Sequence, residues 1–111
     1  DPQWVESNIL VQVENENIHN SYPDHFSLSQ NYPNPFNPVT TIEFSLPEDV
    51  NNLRLSVYNS LGEKVADLVN ISLHAGKYSY KWEAKNLASG IYFYELRTDK
   101  FVSAKKMILL R

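Results

Sequence analysis

The 111-residue chain contains no cysteine, which excludes a disulfide framework and a thiolate metal site. Glycine is scarce, at three residues, so no Gly-rich phosphate cradle can be assembled. No lysine or arginine precedes Arg54. No stretch approaches the roughly 18 consecutive apolar residues that cross a bilayer as a helix, and the first residues lack the basic-then-apolar pattern of an export signal. On that ground the chain is read as cytoplasmic, or as an internal or C-terminal piece whose export signal lies upstream. A helical period is also missing, and only "EDVNNL", from Glu48 to Leu53, could hold a single turn.

What is present describes a folded chain. Hydrophobic residues make up 42% of it and tyrosines number seven, a composition that supports one core, in a length that suits one domain. The formal net charge of -3 hides an asymmetry, because all ten basic residues lie from Arg54 onward against five acids there (Glu63, Asp67, Glu83, Glu95 and Asp99). Arg97, Lys100, Lys105, Lys106 and Arg111 give the last stretch a basic character. An acidic chain overall is a poor match to phosphate backbones, so nucleic acid is not expected as a partner. The basic residues read as solvated strand faces, with lysines that blunt a sheet edge.

From Thr40 onward apolar and polar residues alternate with the period of half-buried strands. In "TTIEFSLP" Ile42, Phe44 and Leu46 share one face, and in "NLRLSVYNS" Leu53, Leu55 and Val57 do the same. "KVADLVNISL" is less regular and suggests a bulge or a change of sheet, while "GKYSYKWEA" aligns Tyr78, Tyr80 and Trp82. "GIYFYELRTD" is apolar on both faces, which marks it as the central strand, and "FVSAKKMILLR" closes the series. Turn signals at Pro47–Asp49, Asn59–Gly62, Ala75–Gly76 and Ala88–Gly90 separate the runs. The expected fold is all-β, an antiparallel immunoglobulin-like β-sandwich of about seven strands over residues 31–111. Residues 1–30 read as a linker or the tail of an upstream domain, with a possible short strand in "NILVQVENENI" and a polar, turn-rich stretch after it.

Between linker and sandwich lies "NYPNPFNPVTTIEF". Pro33, Pro35 and Pro38 fix their own φ, restrict the residues before them and remove three backbone donors, so the segment cannot join a central sheet. With Tyr32 and Phe36 tucked against the sandwich, it would form a stiff collar at one end. A calcium loop is the competing reading, but Asn31, Asn34 and Asn37 bring no acidic oxygens to it.

Taken together, "LSQNYPNPFNPVTTIEFSLP", "LRLSVYNSLGEKVADLVN" and "LASGIYFYELRTDKFVSAKKMILLR" resemble the C-terminal sorting domain of proteins exported by the bacterial type IX secretion system. The likeness runs from about Leu28 to Arg111. It rests on an ordered set: the Asn-Pro entry, the turn ending at Gly62, the Gly90-x-Tyr92 motif, and a terminal lysine followed by apolar residues. The immunoglobulin-like domain of the flagellar hook-capping protein shares much of this pattern, but usually carries a longer acidic insert where this chain has only "EAKNLAS" after Trp82. The resemblance implies an address without an activity. It implies an upstream cargo domain in the same chain, the secretion machinery and its sortase-like surface peptidase as partners, and localisation at the outer-membrane surface or outside a Gram-negative cell.

Candidate residues follow from both lines. The terminal strand, with Lys105, Lys106, Met107, Ile108, Leu109, Leu110 and Arg111, reads either as one that simply completes the sandwich or as an edge at which a receptor could add a strand, two readings that are compatible. The resemblance adds Gly90 and Tyr92 to that recognition set. Pro33, Pro35, Phe36, Pro38 and Gly62 read as structural. No catalytic residue, metal or cofactor is expected. His19, His25 and His74 are scattered, and Glu43 and Glu83 fall on outward strand positions. Trp82 with Tyr78, Tyr80, Tyr92 and Tyr94 could form a sugar-stacking strip, the carbohydrate-binding alternative, but their spacing assigns them to the core.

Overall fold

A computed structural model describes residues 22–111, together with the backbone of one earlier strand. The elements run β1 (Ile9–Val11), β2 (Ser27–Leu28), β3 (Val39–Leu46), β4 (Val50–Asn59), β5 (Lys64–Leu73), β6 (Gly76–Glu83), β7 (Gly90–Arg97) and β8 (Val102–Leu109). Among the described residues there is no helix. One sheet has the order β1-β6-β3-β2 and the other β5-β4-β7-β8, every pair antiparallel. The fold is therefore the all-β sandwich that the alternation predicts. His19 and most of the stretch assigned to the linker lie outside the described residues, while Ser27–Leu28 at its end pairs with Ser45 and Phe44 of β3.

Alternation places the core. Ile42, Phe44 and Leu46 of β3 and Tyr78, Tyr80 and Trp82 of β6 face Leu53, Leu55 and Val57 of β4, Tyr92, Tyr94 and Leu96 of β7, and Met107 and Leu109 of β8. All are buried, so the aromatic strip is core and offers no stacking surface for a sugar. The irregular β5 does contain a bulge: Leu55 pairs with Val69 and Ser56 with Asp67, leaving Leu68 as the extra residue. "EDVNNL" is the entry to β4 and not a helical turn.

The turn between β4 and β5 is built by Asn59. Its side-chain oxygen accepts from the amides of Leu61 (2.9 Å) and Glu63 (3.0 Å), and its carbonyl accepts from the Gly62 amide at 3.0 Å. Gly62 sits at φ 85°, which the absence of a Cβ permits.

β7 is internal to its sheet, between β4 and β8, as expected of a strand apolar on both faces. The second face is not covered, however. Ile91 is 44% exposed and Phe93 37%.

Candidate functional site

β8 is the last strand of its sheet, and its residues alternate strictly. Met107 and Leu109 are fully buried, whereas Leu110 is 53% exposed and Lys106 lies open to solvent. Lys105 and Ile108 are half-buried. Of the recognition residues expected from sequence, the folded domain thus presents Lys106, Ile108, Leu110 and Arg111, and places Tyr92, Met107 and Leu109 inside.

The collar lies along the outer edge of β8. Residues 106, 108 and 110 turn their backbone groups away from β7. The Phe36 amide donates to the Ile108 carbonyl at 2.9 Å, and the Leu110 amide donates to the Phe36 carbonyl at 2.9 Å, a short parallel bridge. The Ile108 amide donates to Asn34 Oδ1 at 2.9 Å, and Gln30 Nε2 to the Lys106 carbonyl at 2.7 Å. The Phe36 ring is buried and tilts against Trp82 at 5.9 Å, whereas Tyr32, expected to tuck in beside it, is 80% exposed and, among the described residues, is held only through its backbone.

The same segment is tied to the other sheet. The Ser29 amide donates to the Glu43 carbonyl, and Tyr32 and Thr41 exchange both backbone bonds at 2.9–3.0 Å. Asn31, buried, donates to Thr40 Oγ1 at 2.9 Å and to the Pro33 carbonyl at 3.2 Å, and Thr40 donates to that carbonyl too. Phe26 stacks on Phe101 at 5.2 Å. The Tyr94 hydroxyl, reaching out of the core from β7, donates to the Ser29 carbonyl at 2.6 Å. Burial pushes its phenol up to about 12, the Asn31 backbone offsetting only part of that. The proline segment is therefore more than an end collar: it stitches the edges of the two sheets together. The peptide bonds preceding Pro33, Pro35 and Pro38 are cis.

Gly90-x-Tyr92 has a structural meaning. The Tyr92 hydroxyl donates to the Ala88 carbonyl four residues back at 2.7 Å, across Gly90 at φ 156°. Gly76-x-Tyr78 repeats the device, Tyr78 donating to His74 at 2.7 Å across Gly76 at φ 153°. In both, a tyrosine bends back to close the turn that starts its strand. Beyond β8, the Arg111 amide donates to Ser89 Oγ at 2.8 Å and its guanidinium to the Ala84 carbonyl at 3.2 Å, which ties the chain end to the β6–β7 connection.

Other chemistry has little to build on. Among the described residues no three histidine or acidic side chains cluster as metal ligands. His74 lies 3.5 Å from Asp49 at an exposed turn. Glu43 sits opposite Ser79 and Glu83 opposite Val39, four rungs apart on β3, so the two carboxylates are separated by about 13 Å of strand, beyond the spacing used for glycoside chemistry. Among the described residues no helix is long and apolar enough to cross a membrane, a statement that does not extend to β-barrels.

The site is thus an all-β sandwich whose last strand is clasped by a proline-rich segment. Residues 30–110 match the secretion system C-terminal sorting domain family, and the chain belongs to it. Its role is thus that of a sorting signal of the type IX secretion system. No curated protein sequence matches the chain. Among solved structures it is similar to PorZ, an essential surface component of the type IX secretion system of Porphyromonas gingivalis, with a TM-score of 0.48 and 19% identity over 79% of this chain. The match spans only 12% of PorZ.

The sequence missed Gln30 and Asn34 as partners of β8. Each acts across more than 70 residues through a side chain on a backbone group, and no local pattern signals such a contact.

Proposed function

We propose that this chain is the non-catalytic address of a larger exported protein: it directs an upstream cargo domain through the outer membrane of a Gram-negative cell. A sortase-like surface peptidase then removes the module and attaches the cargo to the cell surface or releases it. The observation that carries this reading is the family match across 30–110, which takes in both the collar and the final strand it clasps. Lys106, Ile108, Leu110 and Arg111 are the accessible part of the recognition set, while Gly90, Tyr92, Lys105, Met107 and Leu109 hold the strand in place for the machinery to read.

The test is transfer. A reporter secreted to the periplasm, with this chain fused to its C-terminus, is expressed in a host with a working type IX system. Surface delivery of the fusion, with the bare reporter left in the periplasm, is the expected result. Mass spectrometry of the delivered reporter then locates the cut. Periplasmic retention of the folded fusion would overturn the reading.

A further inference from the structure

The clasp on β8 constrains how a partner can reach it. Adding a strand to a sheet edge needs a row of unused backbone donors and acceptors. At Ile108, at the Leu110 amide and at the Lys106 carbonyl, those groups are taken by the chain's own Phe36, Asn34 and Gln30. Along β8, the Lys106 amide and the outward groups of Val102 and Ala104 make no backbone bond to another strand among the described residues. The apolar end of the strand is closed to edge pairing.

What remains open is the outer face of the β7–β8 pair. Ile91 stands opposite Ile108, and Phe93 opposite Lys106. The outward backbone of 106 and 108 makes both of these the non-hydrogen-bonded kind, in which side chains stand closest. Half-exposed Tyr58 of β4 pairs with Phe93 on its other side. A strip of large apolar side chains on the exposed face of a small domain is the usual mark of an interaction surface.

The charges around the strip say what covers it. The two carboxylates of this face are already engaged, Asp67 by Lys64 at 3.1 Å and Glu95 by Arg97 at 3.2 Å. Lys106, beside Phe93, forms no ion pair among the described residues. We propose that the strip formed by Ile91, Phe93 and Ile108, with Lys106 at its border, is the docking surface for a folded protein of the export machinery. That partner presents an apolar patch flanked by carboxylates. The inference rests on the sorting role and specifies the surface through which it works: face packing, with the clasp left intact. A second copy of this chain would bring the same cationic border against itself and is the poorer occupant.

The reporter fusion tests this with substitutions on exposed positions. Ile91→Glu with Phe93→Glu places charge in the contact, and Ile91→Thr with Phe93→Thr removes the apolar surface while keeping β-formers. Ala104→Pro blocks strand addition at the free stretch without costing a bond to β7. Circular dichroism and a thermal melt on each purified fusion establish folding, and if the Glu pair unfolds the Thr pair decides. The expected result is a loss of surface delivery of about tenfold or more for the face variants, as for removal of a central interface contact, with Ala104→Pro exported normally. Normal export of folded face variants would overturn the proposal, as would trapping by Ala104→Pro alone or concentration-dependent dimers abolished by the face substitutions. Failure of the unmodified fusion to be exported would instead refute the sorting role itself.

Discussion

The Phe36 amide donates to the Ile108 carbonyl at 2.9 Å, while the Phe36 ring fills the core beside Trp82. Side-chain burial and edge capping thus come from one residue, and the collar cannot leave β8 without opening the core. Phe36→Ala is expected to cost about 3–5 kcal/mol, the range for truncating a buried phenylalanine. Asn34→Ala removes only a partner of the Ile108 amide, which water can replace, and should cost under about 1 kcal/mol. Urea denaturation measures both. Hydrogen exchange should show Ile108 and Leu110 amides deprotected in Phe36→Ala, and Ile108 alone in Asn34→Ala.

Gly62→Ala tests the turn. At φ 85° the backbone is in the left-handed region, and no heavy atom lies within 4 Å of the position a Cβ would take. The cost is therefore conformational and not steric crowding, about 1 kcal/mol or somewhat more. A melt of the variant should show that loss, with the hydrogen bonds of Asn59 preserved in its amide spectrum.

Most of the sandwich was legible because period-2 alternation is a direct print of a half-buried strand. It worked for β3 and β6, where the charged residues Glu43, Lys77, Lys81 and Glu83 mark the solvent side, although Ser45 and Ser79 on that side are buried. It failed to orient "MILL", since apolar residues occupy both parities of β8 and sequence alone leaves open which of them face inward. β7 shows the same ambiguity from the other side: Ile91 and Phe93 imply a covered second face, yet both are exposed. The collar was legible as stiff, because proline acts locally. Its two-sided stitching was not, because it depends on single side chains such as Asn34 meeting a backbone 74 residues away.

Tyr92→Phe separates a structural from a recognition role for the Gly90-x-Tyr92 motif. The hydroxyl is spent on the Ala88 carbonyl, and the ring is buried. Losing that bond should lower stability by about 1 kcal/mol while surface delivery of a reporter fusion stays unchanged. A stable variant that is not exported would show that the motif is read directly.

The last prediction concerns alkali. The Tyr94 phenol is pushed up to about 12 by burial, and burial also raises Tyr78 and Tyr80. A group with a raised folded pKa contributes stability that is complete below its unfolded value and disappears as pH rises through the folded one. Here the unfolded phenols begin to ionise near pH 10, and the native Tyr94 resists until about 12. Unfolding should therefore become easier across that window, with Tyr94 alone accounting for on the order of 2–3 kcal/mol. Its hydroxyl is the link between β7 and the collar at Ser29, so ionisation strikes the seam between the sheets. Tyr94→Phe should cost about 1 kcal/mol at neutral pH, through the lost bond, and should flatten the alkaline decline. Urea midpoints measured from pH 8 to above pH 11 in both proteins check this. Parallel declines would show that the alkaline loss arises from groups other than Tyr94.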